Sequence, residues 1–127
     1  MAGRLRELDA LGWARAGASK KEWGNIYWGK LQARARRWAA RPSPSQVLAE
    51  HRFLQSVFRR LPCAECRTHA LAYYWDYYPQ LEGGRVAYTR WLFDFHNHVN
   101  KRLGKPHYPW ATYVQNHWEE MQRCGHL

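Results

Sequence analysis

The chain has 127 residues, 20 Lys and Arg against 10 Asp and Glu, a formal net charge of +10, and eight Trp and eight Tyr. That length suits one domain and excludes two, and no stretch approaches the roughly 20 consecutive apolar residues of a membrane span. Three cysteines, Cys63, Cys66 and Cys124, are too few and too uneven for a disulfide-stapled secreted fold.

Residues 1–18 mix Arg and Ala with Glu7 and Asp9 and lack the apolar run of a secretory signal. They read as a loose tail of an intracellular protein, ahead of one domain over residues 19–127. Ser19 followed by Glu22 is a capping box, so a first helix should start near Lys20. It should run to about Ala40, where Pro42 and Pro44 stop it. Ser43 with Gln46 is a second capping box, and Pro44 suits the first position of the next helix. Leu54, Val57, Phe58 and Leu61 keep the spacing of an apolar helical face. Pro62 then restarts the chain. A third helix is expected from Cys63 to Tyr78, closed by Pro79, and Gly83-Gly84 marks a turn. The fourth helix should span Arg85 to Leu103, with Tyr88, Leu92, Phe95, Val99 and Leu103 on one stripe. Gly104 stands where a C-terminal cap belongs, and Pro106 follows it. Pro109 can open a fifth helix that ends before Gly125. Strand alternation is nearly absent, and five helices with short connections imply an all-α bundle.

Two segments carry chemistry. The first is Leu61-Pro62-Cys63-Ala64-Glu65-Cys66-Arg67-Thr68-His69. Pro62 places Cys63 at or beside a helix N-terminus, where unpaired amides and the helix dipole stabilise a thiolate. Positions 63 and 66 are one turn apart, the layout of a dithiol that cycles to a disulfide, and Arg67 adds positive potential. Two other readings stand beside this one. Both cysteines could be small buried hydrophobes, or Cys63, Cys66 and His69 could hold zinc with Cys124 or a histidine as fourth ligand. The second segment is Phe93-Asp94-Phe95-His96-Asn97-His98-Val99-Asn100-Lys101-Arg102-Leu103-Gly104-Lys105-Pro106. His96 and Asn100, four apart on a helix, share a face with Val99 and Leu103. A flat imidazole, an amide and aliphatic walls can hold a heteroaromatic ring, and Lys105 can reach a phosphate.

His96-Asn97-x-Val99-Asn100-x-x-Leu103-Gly104-Lys105-Pro106, about thirty residues after Pro62-Cys63-x-x-Cys66, resembles the signature of the Erv/ALR sulfhydryl oxidases. Trp23-Gly24-x-x-x-Trp28-x-x-Leu31 resembles that family's opening segment. Cys66-Arg67-x-His69 and Phe93-Asp94-Phe95-His96-Asn97 are most similar to the short forms encoded by large DNA viruses. The resemblance implies a four-helix bundle with a short fifth helix, usually dimeric, with FAD at one end of the bundle. It makes Cys66 the flavin-proximal cysteine and Cys63 the one that meets substrate. It places Trp28, His96, Val99, Asn100 and Lys105 on FAD, with Gly24, Asn97, Leu103 and Tyr108 as neighbours and Trp110 and Trp118 as further candidates. Gln32 stands where the family usually has a histidine, which keeps hydrogen bonding and loses ring stacking. Phe93 and Trp110 replace the two cysteines of a structural disulfide found in many cellular members, and an aromatic pair can pack in its place. No second cysteine pair is present to shuttle electrons, and the lone Cys124 cannot form one.

The activity implied is FAD-dependent oxidation of protein dithiols, directly or through a thioredoxin-like carrier. Oxygen is the electron acceptor and peroxide the product. The viral resemblance points to host cytoplasm or the virion. The competing reading is a basic zinc- or nucleic-acid-binding helical module, which accounts for the charge and leaves the His96–Pro106 segment unexplained. Lys and Arg are spread along the chain, with one denser run at Arg34, Arg36 and Arg37. That spread suits a solvated basic surface better than a specific nucleic-acid site.

Overall fold

The computed structural model of the chain describes residues 11–14 and 17–123, with side chains as far as residue 117. Among the described residues there are five α-helices, one 3-10 turn and no strand. The helices are α1 (Lys20–Arg36), α2 (Pro44–Arg59), α3 (Ala64–Asp76), α4 (Arg85–Arg102) and α5 (Trp110–Arg123), and the 3-10 turn is Leu81–Gly83. No helix among the described residues is long and apolar enough to cross a membrane.

The helix starts follow local chemistry. Ser19 Oγ accepts the Glu22 N–H at 3.2 Å, one half of the expected capping box. Pro44 is the first residue of α2, where its missing N–H costs nothing. The stops depend on partners elsewhere. Helix α1 ends at Arg36, short of the expected Ala40. There the Arg37 N–H is shared between the Ala33 and Arg34 carbonyls, and the Trp38 N–H tightens to Ala35. The cause is Trp38. Its indole N–H donates to the Leu81 carbonyl at 3.0 Å, and its ring meets Tyr88 edge-on at 5.7 Å. A part-buried Trp N–H favours a partner, and reaching this one takes the chain out of the helix. Helix α3 likewise ends at Asp76 rather than Tyr78. Pro79 disfavours the helical region for Tyr78, whose ring stacks on His51 at 4.5 Å. Gly84 opens α4 at φ +91°, and a Cβ there would collide with the Ala40 carbonyl, so only glycine fits.

The chain divides into two compact units, one of Met1–Lys30 with Ser45–Tyr78 and one of Leu31–Pro44 with Pro79–Leu127. In the first, Leu54, Val57, Phe58 and Leu61 are buried, as their spacing implied. Tyr74 is buried against them. Its hydroxyl accepts from Gln55 at 3.4 Å and is hydrogen-bonded to His51 Nδ1 at 2.6 Å. Burial is the main cause that pushes the Tyr74 hydroxyl up to about 12. Trp13 lies in the stretch expected to be a loose tail. It packs edge-on to Tyr27 at 5.0 Å and against Phe53 at 6.3 Å, and Ala14 and Ala18 are buried.

In the second unit Leu31, Ala35, Leu81, Tyr88, Leu92, Phe93, Phe95 and Tyr113 are buried. An aromatic cluster joins α4 to α5. Phe93 meets Trp110 edge-on at 5.0 Å, and Trp110 stacks on Tyr113 at 5.7 Å. The Arg90 guanidinium lies 4.8 Å from the Trp110 ring. Arg36 reaches this cluster from α1 and donates to the Tyr113 hydroxyl at 2.6 Å. The Phe93–Trp110 pair therefore packs where the family resemblance puts a structural disulfide. Phe93→Ala should cost about 3–5 kcal/mol, the range for emptying a buried aromatic site, read as a lower urea midpoint with an unchanged m-value.

Candidate active site

Cys63 is the N-cap of α3, with extended φ/ψ of −159° and 117°. Its sulfur accepts the Cys66 N–H at 3.2 Å, as a serine hydroxyl would at that position. The two cysteines form a disulfide, with Cα atoms 5.1 Å apart, and both are half-buried. Arg67, expected to add positive potential, donates through Nη1 to the Leu61 carbonyl at 2.5 Å and braces the turn before Cys63. The arrangement favours a thiolate on Cys63. The amide of Cys66 and the start of α3 face its sulfur, and both stabilise negative charge.

The second group of residues lies on α4 and the loop after it. The apolar stripe of α4 is buried at Tyr88, Leu92 and Phe95, half-buried at Val99, and 43% exposed at Leu103. The face that is core at one end of the helix is thus an open apolar wall at the other. His96 stands where the stripe emerges, and Gln32 Nε2 lies 3.2 Å from its Nδ1. The amide nitrogen can only donate, so Nδ1 accepts and the imidazole proton sits on Nε2. Burial, with Lys105 second, lowers the His96 pKa to about 4, so the ring is neutral at physiological pH.

The loop after α4 is held from both ends. Gly104 at φ +70° lets the Lys105 N–H reach the Asn100 carbonyl at 2.7 Å and its own N–H reach Lys101, a Schellman stop. The Asn97 side chain donates to the Tyr108 carbonyl and accepts the Tyr108 N–H, each at 2.9 Å. Asn116 donates to the Tyr108 hydroxyl at 2.8 Å. Asn97, a candidate cofactor neighbour by sequence, therefore spends its amide on fixing the loop that carries Lys105.

The neutral His96 leaves a stability signature. Its folded pKa is near 4 against an ordinary value of 6.5. Between those values the unfolded chain binds more protons than the folded one. The stabilisation is fully present above pH 6.5 and is lost as pH falls toward 4, by up to about 3 kcal/mol. Urea midpoints at pH 7 and pH 4.5 should show this fall in the parent chain and a smaller one in His96→Gln.

A sequence profile described as the Erv1 / Alr family matches residues 25–119. The chain belongs to the Erv1 / Alr family. It is 37% identical over 102 residues to protein 096R of Invertebrate iridescent virus 3, named as a candidate FAD-linked sulfhydryl oxidase, across 76% of this chain and 66% of that one. It is 31% identical over 91 residues to the FAD-linked sulfhydryl oxidase of an African swine fever virus isolate, across 72% of this chain and 76% of that one. Its helical fold is similar to the crystal structure of the FAD binding domain of Erv1 from Saccharomyces cerevisiae. The TM-score is 0.74 at 27% identity, over 82% of this chain and 97% of that one.

Within this Erv1 / Alr chain, the residues singled out by sequence fall as follows. Cys63 and Cys66 are joined, and Gln32 is joined to His96. Val99, Asn100, Leu103 and Lys105 follow His96 along the open end of α4. Gly24 and Trp28 are half-buried on α1, with Trp28 one turn before Gln32 on the same helix face. Trp110 is engaged in the aromatic cluster with Phe93 and Tyr113. Trp118 belongs to α5, with its side chain outside the described residues, and Cys124 lies outside them altogether. The zinc alternative gains no support. His69 Nε2 lies 3.6 Å from Glu65, and the described residues hold no cluster of three His, Cys, Asp or Glu side chains able to bind a metal.

Proposed function

We propose that the chain is an FAD-dependent sulfhydryl oxidase that forms disulfides in protein dithiols. The observation that carries this reading is the Cys63–Cys66 disulfide at the start of α3, capped by the Cys66 amide. The relatives named as FAD-linked sulfhydryl oxidases support it.

The residues present fit FAD. The open end of α4 offers an apolar wall at Val99 and Leu103, a ring N–H on neutral His96, the Asn100 amide and the Lys105 cation. That donor set suits a heteroaromatic ring joined to a phosphate. His96, Val99, Asn100, Leu103 and Lys105, with Trp28 and Gln32 on α1, are the residues we assign to holding the cofactor. Bound there, FAD supplies the redox capacity to take an electron pair from the dithiol and pass it to oxygen, giving hydrogen peroxide.

The protein's own steps are thiol–disulfide exchanges. A substrate thiolate attacks Cys63 Sγ. The Cys63–Cys66 bond breaks, Cys66 leaves as a thiolate, and a substrate–Cys63 disulfide forms. A second substrate thiolate then attacks the substrate sulfur of that mixed disulfide and expels Cys63 as a thiolate. The substrate has lost two electrons and two protons, and the cysteine pair has gained the two electrons. The helix cap matters in the second exchange, because a thiolate on Cys63 that is stabilised by the Cys66 amide is the better leaving group. This supports Cys63 as the substrate-facing sulfur and Cys66 as the inner one.

A homodimer is the assembly this reading carries, and the viral relatives support host cytoplasm or the virion as its place of action. The test is an oxygen-electrode assay on the FAD-loaded chain with a reduced dithiol peptide. One oxygen should be consumed and one peroxide formed per disulfide. A chain that holds FAD and yields disulfide without oxygen uptake would remove the oxygen branch of the reading.

A further inference from the structure

We propose that a basic rim beside Cys63, made by Arg59, Arg60 and Arg67, selects dithiol proteins whose cysteines are flanked by acidic side chains. The inference rests on the oxidase reading above and adds a substrate class to it.

The rim follows from how the chain turns between α2 and α3. Arg59 is the last residue of α2, and the Arg60 N–H bonds back to the Val57 carbonyl and closes the helix. Arg59 is exposed and donates to the neutral Gln55 Oε1 at 3.2 Å, which leaves its charge uncompensated. The Arg60 side chain is exposed. Only Leu61 and Pro62 lie between Arg60 and Cys63, so their Cα atoms, three residue steps apart, lie within about 11 Å whatever the path of the turn. Arg67 folds back on the same turn through its bond to the Leu61 carbonyl. Opposing charge is sparse. From Arg52 to Trp75 the chain carries four arginines and a single carboxylate, Glu65, which lies 3.6 Å from His69.

These charges bear on the exchange step. Acidic residues beside a substrate cysteine raise its thiol pKa and so deplete the attacking thiolate. Guanidinium groups at the encounter site offset that, and they attract the acidic segment over a distance comparable to the Debye length. A basic flank is repelled. The expected effect falls on association, and so on kcat/KM, with kcat unchanged.

Three reduced peptides with one dithiol and four flanking residues test this, the flanks being all Glu, all Gln or all Lys. A small neutral dithiol serves as reference, all with the FAD-loaded full chain. At low salt kcat/KM for the Glu peptide should exceed that for the Gln peptide about ten-fold and fall toward it as salt rises, with the Lys peptide slowest. The double variant Arg59→Gln/Arg60→Gln should lose most of that preference while oxidising the small dithiol at the parent rate. Equal efficiency on the three peptides overturns the rim, as does a Glu preference that survives in the double variant. No turnover of any substrate overturns the oxidase reading, and the rim with it.

Discussion

Cys63→Ser and Cys66→Ser should each reduce thiol-dependent oxygen uptake to background, a loss on the order of a thousand-fold or more, because neither serine can close the disulfide. Both variants should still fold and hold FAD, since each exchanges a half-buried sulfur for a hydroxyl at the start of α3. The two then differ in what the remaining thiol does. In Cys66→Ser the backbone amide of residue 66 is kept, so the Cys63 thiolate retains the 3.2 Å cap seen in the parent chain. Given glutathione disulfide, it should form a mixed disulfide that persists, because Cys66 is not there to resolve it. In Cys63→Ser the remaining Cys66 lacks the N-cap position and should react about ten-fold more slowly. Intact-mass spectra over time measure both rates. Faster modification of Cys63→Ser would reverse the assignment of outer and inner cysteine.

The second large effect is expected at the cofactor residues. His96→Ala removes a ring and a ring N–H from the open end of α4 and should weaken FAD about a hundred-fold, or roughly 2.7 kcal/mol. With free FAD at about a thousand times the parent Kd, binding adds about 4 kcal/mol to the parent chain and about 1.4 kcal/mol to the variant. For a chain of this size those figures correspond to thermal shifts of roughly 12 °C and 4 °C. Each protein is compared with itself, with and without FAD, so any intrinsic cost of the substitution drops out. Lys105→Ala should weaken FAD about ten-fold, since an exposed cation is partly screened. A shift in His96→Ala equal to the parent's would place FAD elsewhere on the chain.

Much of this was legible in the sequence where the determinant is local. Ser19, Pro44, Pro62 and Gly104 act within a few residues of themselves, and helix starts or stops stand close to each of them. The i, i+4 spacing from His96 to Asn100 needed only that α4 be a helix. What sequence reading missed depends on contacts far along the chain. Trp38 leaves α1 to meet Leu81, 43 residues on, and nothing near Trp38 signals that partner. Gln32 bonds to His96 across 64 residues, so the polarity of Gln32 was readable and its target was not. Asn97 reads from the motif as a neighbour of the cofactor, and its backbone partner is not readable there. Its amide pairs with the backbone of Tyr108, and that pairing depends on how the loop closes. Trp13 falls in the stretch that reads as a loose tail. The ring nonetheless packs on Tyr27, as a large apolar surface within reach of a core will.

The central claim is that the Cys63–Cys66 pair delivers electrons to a bound flavin. An anaerobic titration of the purified chain with a small dithiol, followed in the visible, tests it most directly. The account predicts one FAD per chain and a flavin absorbance that is fully bleached by two equivalents of dithiol, one for the Cys63–Cys66 disulfide and one for FAD, recovers on admitting air, and does not bleach on the same timescale in Cys63→Ser or Cys66→Ser. A folded chain that takes up no FAD, or a flavin that bleaches equally fast without either cysteine, would contradict it.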